Sequence, residues 1–299
     1  MPASPLKGIR ACVFDAYGTL FDYASATQGC RNLLGNKLEP LTTLWREKQL
    51  QYTWLRSVQR QHRDFWQVTS DALQFSMRSL GLSDPSLHDK LMELYLTLSP
   101  FPEVAHTLQR IKAGGLKTAI LSNGTPRMLQ AAVQNAGIQH LLDAILSVED
   151  VGVFKPDRKV YQLAVDRLGY EAHAIAFQSS NAWDAWAASA FGMQVVWCNR
   201  YQQQPELLPG KPDCQVRSGL LPSCSPLLCR RVPTLRTSKR ETKALLSPAA
   251  QVSRCAAECA VRFEPVCAKR ALSLLQQELL PCGLGYGQVV GFHMVIGVD

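Results

Sequence analysis

The chain has 299 residues, a formal net charge of +8, 46% apolar and 19% charged residues, an ordinary globular composition with room for one sizeable core and a subdomain. No apolar stretch approaches the roughly 18 residues of a membrane span, and the opening "MPASPLKGIRACVF" has no uninterrupted apolar core of signal-peptide type, so a cytoplasmic protein without a membrane partner is expected. Charge is uneven: residues 1–213 carry 21 Lys+Arg against 19 Asp+Glu, whereas residues 214–299 carry 11 against 5, which removes the excess as a property of the whole molecule.

In chain order, the first strand is expected at Ile9–Phe14, running into "FDAYGTLFD" with Asp15 at its end. Residues 22–98 contain no good strand. Trp45, Leu50, Trp54, Leu55 and Val58 recur at near-helical spacing with charges between them, which predicts a helical subdomain inserted after the first strand, able to cover a site as a cap. Further strands are expected at Lys117–Leu121, Ala144–Val148, Ala174–Phe177 and Gln194–Trp197. Helix-like stretches Pro126–Ala136 and Lys159–Leu168 lie between them, followed by Gly137 and Gly169 as helix C-termini favour. Alternating strand and helix predict an α/β fold: a doubly wound, Rossmann-like parallel sheet whose chemistry collects beyond the carboxyl ends of the strands. The core is therefore expected at residues 1–21 and 99–213.

Residues 214–299 change character to a basic, Cys- and Pro-rich extension. Gln251–Leu280 has some helical promise, interrupted by Pro265. The stretch leaves open a divergent or a frame-altered extension, ordered or disordered. Its cysteines Cys255, Cys259, Cys267 and Cys282 lack paired Cys-x-x-Cys spacing, which argues against zinc. The scarcity of aromatics among its basic residues argues against nucleic acid. Scattered thiols in a cytoplasmic chain read as incidental rather than disulfide-bonded.

Four polar clusters stand at strand ends. Asp15, with Gly18 and Thr19 behind it, is either a turn carboxylate or a covalent nucleophile. Ser122 and Asn123 in "AILSNGTP" either cap the helix after Pro126 or supply donors to an anion. Lys155 in "VFKPDRKVY" is either solvated or a site cation. Ser179, Ser180, Asn181 and Asp184 in "FQSSNAWDA" are either a helix cap with an acid in the first turn or a cluster of site groups.

Together the four resemble the motif set of the haloacid dehalogenase superfamily. With their flanks, "FDAYGTLFD", "LWREKQLQYTWLRS", "LSNG", "KPDRKVYQLA" and "SSNAWDA" are similar to the L-2-haloacid dehalogenases within it, over residues 6–216. That resemblance implies hydrolysis of short (S)-2-haloacids through an ester on Asp15, with inversion. It implies a site in which Thr19 orients Asp15, and Arg46 takes the halide with Asn123 nearby. Ser122 and backbone N–H groups hold the substrate carboxylate. Tyr17, Leu50, Phe65 and Trp183 form the apolar wall. Lys155 offsets negative charge, held by Tyr161 and Ser179, while Asn181 and Asp184 complete the site, Asp184 toward the hydrolytic water. The partners implied are a 2-haloalkanoate and water, with no cofactor and no metal, and the family tends to form homodimers. Two residues depart from the pattern: Glu47, where the family carries a neutral glutamine, and Gln178, where an apolar residue is usual. An acid beside Arg46 weakens anion capture unless it points away.

The alternative within the superfamily is a Mg²⁺-dependent phosphatase. Those enzymes carry Asp-x-Asp at the first motif, the second acid protonating the leaving group, and hold the metal with carboxylates near the fourth. Here the corresponding positions are Tyr17 and Ser180. A halide leaves as an anion and needs no proton, so both losses favour carbon–halide chemistry.

Overall fold

The computed structural model describes residues 6–216. The expectations for the extension from residue 217 onward, including its helix and its cysteines, lie outside the described residues.

The chain begins with β1 (Ala11–Phe14), short strand β2 (Phe21–Asp22), and helices α1 (Ser25–Gln28), α2 (Arg31–Leu34), α3 (Leu38–Gln59), α4 (Phe65–Ser79) and α5 (Pro85–Leu96). Strand β3 (Ser99–Pro100) returns antiparallel to β2, with Phe21 opposite Pro100, so this pair stitches the two crossings between helical segment and sheet. Then follow α6 (Val104–Ala113), β4 (Lys117–Ser122), α7 (Pro126–Asn135), β5 (Ala144–Ser147), α8 (Arg158–Leu168), β6 (Ile175–Ser179), α9 (Ala182–Phe191), β7 (Gln194–Cys198) and β8 (Cys214–Val216).

The main sheet has the order β5-β4-β1-β6-β7-β8, and every neighbouring pair is parallel. The expected α/β class is therefore found. β1 lies in the middle, all four residues buried, as a parallel strand covered on both faces requires. Its register sets Phe14 beside Ile120 and Gln178, so the chain leaving β1, β4 and β6 emerges at one edge.

One expectation needs correction. The boundary after residue 213 cuts short the sheet: Cys214–Val216 pair with Val196–Cys198 as the sixth strand. This edge strand is three residues long and only half-buried, too short to leave a periodic signal. Helix α3 is found where the spacing placed it, but its inner face is not the one hydropathy alone would choose. Its buried face is Leu38, Leu41, Trp45, Gln49 and Thr53, whereas Trp54, Leu55 and Val58 are 37%, 47% and 83% exposed. Hydropathy misplaces the stripe because two buried members are polar and satisfied. Gln49 Nε2 donates to Thr69 Oγ1 at 2.8 Å, and Thr53 Oγ1 donates to the Leu50 carbonyl at 2.6 Å.

The helix starts follow local chemistry. Thr125 caps α7 by accepting the Met128 N–H, Asp157 caps α8, and Asp64 caps α4. Thr125 therefore does the capping in "LSNGTP", which leaves Ser122 and Asn123 available for other partners. No helix among the described residues is long and apolar enough to cross a membrane.

Candidate active site

Asp15 sits one residue past β1, 5% exposed, with its N–H donating to the Gln178 carbonyl at 2.9 Å. Its side chain faces three donors. Lys155 Nζ donates to Oδ1 at 3.0 Å; Thr19 Oγ1 and Asn181 Nδ2 donate to Oδ2 at 3.0 and 2.7 Å. The direction of the Thr19 bond follows from proton counting. Thr19 Oγ1 accepts the Ser180 N–H at 2.9 Å, and the Ser180 hydroxyl donates to the Gly18 carbonyl. The Thr19 hydrogen is thus left for Asp15. Gly18 makes this loop possible with φ of +87°, a conformation that costs a residue with a Cβ.

Lys155 is 1% exposed and its ammonium bridges two carboxylates, Asp15 at 3.0 Å and Asp184 at 2.8 Å. Burial pulls the Lys155 pKa down, but the two carboxylates outweigh it and hold the ammonium above the ordinary lysine range. Asp184, fully buried, is pushed up by burial first; the Lys155 charge opposes this and the second carboxylate, Asp15, adds to it. Tyr161 donates to Asp184 Oδ1 at 2.7 Å, and burial followed by the Asp184 charge keeps its phenol well above the ordinary range. Lys155 is anchored at its backbone as well, its N–H donating to Asn123 Oδ1 at 3.0 Å.

Asn181 occupies the N-cap position of α9 yet makes no side-chain cap bond. Its amide turns inward instead. Nδ2 reaches Asp15 and the Tyr17 carbonyl (3.1 Å), and Oδ1 accepts from Arg46 Nη2 at 3.0 Å. The guanidinium of Arg46, from α3, also lies 4.9 Å over the Tyr23 ring and donates through Nη1 to Gln49 Oε1 at 2.8 Å. Gln49 is itself locked by Thr69 and by Tyr95, 3.1 Å away. Glu47 is exposed, since consecutive helix residues face different directions, so this acid points away from Arg46.

Of the four expected apolar residues, Tyr17 and Phe65 pack on one another. Tyr17 stacks on Tyr95 with ring centroids 5.4 Å apart and meets Phe65 at 5.6 Å. The Tyr17 hydroxyl is buried without a hydrogen-bond partner among the described residues, and burial, followed by Tyr95, raises its pKa so that it stays a phenol. A Cβ on Gly124 would stand 2.7 Å from that hydroxyl, so only glycine leaves it room. Trp183 is half-buried and meets Trp54 edge-on at 5.4 Å. Leu50 is half-buried one turn beyond Arg46.

Three partnerships differ from those expected. Tyr161 bonds Asp184 rather than Lys155. The Ser179 hydroxyl accepts the Asn181 N–H at 3.1 Å and does not hold Lys155. Asn181 is the amide bonded to Arg46, while the Asn123 side chain accepts from the Lys155 N–H. Ser122 is fully buried at the end of β4, its Oγ accepting the Gly124 N–H at 3.1 Å. Sequence reasoning also missed Gln49, Tyr95 and Arg200. Arg200 donates to the Thr19 carbonyl at 2.8 Å and pairs with Glu103 at 2.5 Å, bracing the loop behind Asp15 from 181 residues away. No local pattern marks such a residue; Gln49, three positions after Arg46, could have been found from helical spacing alone.

The donor set does not fit a divalent cation. The two site carboxylates already share one ammonium, and no group of three His, Cys, Asp or Glu among the described residues is arranged to hold a metal ion. A Mg²⁺ site needs several oxygen ligands, and Ser180 brings a hydroxyl already committed to Gly18.

Comparison with known proteins agrees in kind. The family model "haloacid dehalogenase-like hydrolase" matches residues 9–192. The (S)-2-haloacid dehalogenase 4A of Burkholderia cepacia is 44% identical over 228 residues, 76% of this chain and 98% of that protein. The (S)-2-haloacid dehalogenase of Pseudomonas fluorescens is 44% identical over 214 residues, 71% of this chain and 94% of that one. The structure of L-2-haloacid dehalogenase from Xanthobacter autotrophicus with chloropropionic acid covalently bound is 36% identical with a TM-score of 0.67, covering 70% of this chain and 95% of that one.

Proposed function

The chain belongs to the haloacid dehalogenase-like hydrolases, and from that premise we propose that it hydrolyses short (S)-2-haloacids to (R)-2-hydroxyacids and halide. The observation that carries this reading is Asp15: one buried carboxylate held by Thr19, Asn181 and Lys155, with Tyr17 where a proton-donating acid would stand. The Asp15 carboxylate attacks C2 of the haloacid from the face opposite the halogen. The carbon–oxygen bond forms as the carbon–halogen bond breaks, the halide keeping the electron pair. Water then adds to the carbonyl carbon of the Asp15 ester, releasing hydroxyacid, one proton and the free carboxylate.

We assign the roles as follows. Thr19 and Asn181 aim the nucleophile. Arg46, with Asn123 and the Asn181 amide, takes the halide, and Ser122 with neighbouring backbone N–H groups takes the substrate carboxylate. Lys155 neutralises the gathered negative charge; Tyr161 and Ser179 support it indirectly, through Asp184 and Asn181. Asp184, whose proton affinity burial has raised, accepts the proton of the hydrolytic water. Tyr17, Leu50, Phe65 and Trp183 keep solvent from the carbon. On this reading residues 22–98 are a cap over the core of residues 1–21 and 99–216, supported by Arg46 and Phe65 reaching the site from α3 and α4. A cytoplasmic homodimer completes the proposal, with sedimentation as its check.

Halide release from the two enantiomers of 2-chloropropionate, with and without EDTA, tests the reaction. Chloride and (R)-lactate from the (S) enantiomer, unchanged by EDTA, are expected. No chloride from either, together with Mg²⁺-dependent phosphate release from a generic phosphoester, would overturn the reading. A second expectation concerns Gln49. A hydrogen bond to a charged group is worth about 1.5–3 kcal/mol, so Gln49→Ala, which frees Arg46 Nη1, should lower kcat/KM roughly 10- to 100-fold. Steady-state kinetics decide this, and an unchanged kcat/KM would remove Gln49 from the Arg46 support.

A further inference from the structure

The turn between α3 and α4, residues 60–64, is held by a sheet-side carboxylate that the reaction leaves unused. Glu149 lies in the short 3-10 turn Val148–Asp150 after β5. Its Oε2 is 3.0 Å from His62 Nε2, and its Oε1 accepts the Phe65 N–H at 3.3 Å. Phe65 is the first residue of α4, so this N–H is one of the donors a helix leaves without an internal partner. The N-cap side chain, Asp64, accepts from Gln67 instead. A carboxylate from the sheet side thus completes the helix start, where the helix dipole also favours negative charge.

Both ends of this contact touch the site. The His62 ring lies 4.7 Å from the Phe154 ring, and Phe154 directly precedes Lys155. Phe65 meets Phe154 at 6.1 Å and Tyr17 at 5.6 Å. Behind Glu149, the Ser147 hydroxyl accepts the Glu149 N–H at 3.2 Å and donates to the Gly124 carbonyl at 2.6 Å, in the loop that follows Ser122 and carries Asn123. The Phe154 N–H donates to Ser57 Oγ of α3 at 3.2 Å, a second tie beside the first.

We propose that Glu149 is a positioning residue which, through the Phe65 amide and His62, clamps the 60–64 turn to the sheet side and thereby sets the alkyl-group specificity of the site. The proposal rests on the reading of Phe65 as part of the wall around the reacting carbon. With the clamp closed, the Phe65 ring is held between Tyr17 and Phe154, and the room for the 2-alkyl group is defined. Without it, the first turn of α4 loses its outside acceptor and the wall loosens, while Asp15, Lys155 and Asp184 keep their mutual bonds. Substrate binding and discrimination therefore change more than the chemical step.

The test compares Glu149→Ala, Glu149→Gln and His62→Gln with the full-length wild type. Kinetics on (S)-2-chloropropionate and (S)-2-chlorobutyrate are measured alongside hydrogen exchange at the Phe65 amide. Glu149→Ala should raise KM for chloropropionate about 5- to 10-fold with kcat within about 2-fold. It should shift the kcat/KM ratio between the two acids by about 3-fold or more and speed exchange at Phe65. Glu149→Gln, whose amide oxygen still accepts from Phe65, should recover most of this, and His62→Gln should fall between. A lowered melting temperature with unchanged KM, ratio and Phe65 exchange would reduce Glu149 to a structural role and overturn the proposal. Absence of halide release by the wild type would instead sink the functional reading and the specificity claim with it, while the clamp would stand or fall on Phe65 exchange.

Discussion

Asp15→Asn should lose at least about 10³-fold in kcat for halide release, the largest effect expected of any single substitution here. The amide is nearly isosteric and can still accept from Thr19, but it carries no charge to displace a halide. A loss of activity alone would not separate a nucleophile from a general base. The distinguishing measurement is a single turnover of the wild type in ¹⁸O-water. If Asp15 attacks carbon, the first hydroxyacid carries a carboxylate oxygen from Asp15, and the label enters the protein as water cleaves the ester. Label in the first hydroxyacid would make Asp15 a base acting on water and end the covalent reading.

Lys155→Met should come second, and it should show in stability as well as rate. The ammonium is the shared partner of Asp15 and Asp184 at 3.0 and 2.8 Å, with all three groups buried. Removing one member of a buried charge network costs about 3–5 kcal/mol, which at roughly 2–4 °C per kcal/mol for a domain of this size is a fall of about 6–20 °C in Tm. The rate should drop about 10²-fold or more, as two facing carboxylates repel an anionic substrate. The pH dependence has a definite sign. In the wild type Lys155 titrates above the ordinary lysine value. Its stabilisation is thus complete below about pH 10.4 and is lost only as pH rises through the higher folded value. In the variant Asp184, which burial already pushes up, loses the Lys155 charge that opposes the rise. The penalty of this unpaired buried carboxylate is absent once it is protonated and grows as pH rises, so Tm should increase on going from pH 7 to pH 5. Thermal melts across this range decide it, and a Tm equal to the wild type's at every pH would show that the network contributes nothing to the fold.

The legibility of this protein follows the range of the interactions concerned. The α/β alternation was readable because each strand is a short apolar run and each helix has local start and stop chemistry, as with Thr125, Pro126 and Gly137 around α7. β8 was not, because three edge residues acquire their strand only by pairing with β7. The inner face of α3 was not legible because Gln49 and Thr53 are buried by virtue of hydrogen bonds that hydropathy does not count. In the site, the residue types and their strand-end positions were legible, and the structure brings Asp15, Thr19, Arg46, Lys155, Tyr161, Asn181 and Asp184 into one bonded network. Their partners were less so: Tyr161 to Asp184, Ser179 to the Asn181 backbone, and the Glu149 clamp on Phe65.

By itself the sequence determined the class of fold and the kind of chemistry. Strand and helix signals lie within a few residues, and so does the absence of a second acid two positions after Asp15. Only the tertiary structure decided what each polar group does. Asn181 stands where a cap belongs and turns instead to Asp15, 166 residues earlier; Lys155 reaches back 140 residues to the same carboxylate. The physical reason is competition for hydrogen bonds. A buried donor takes the strongest acceptor within reach, and reach is set by which strand ends the sheet brings together.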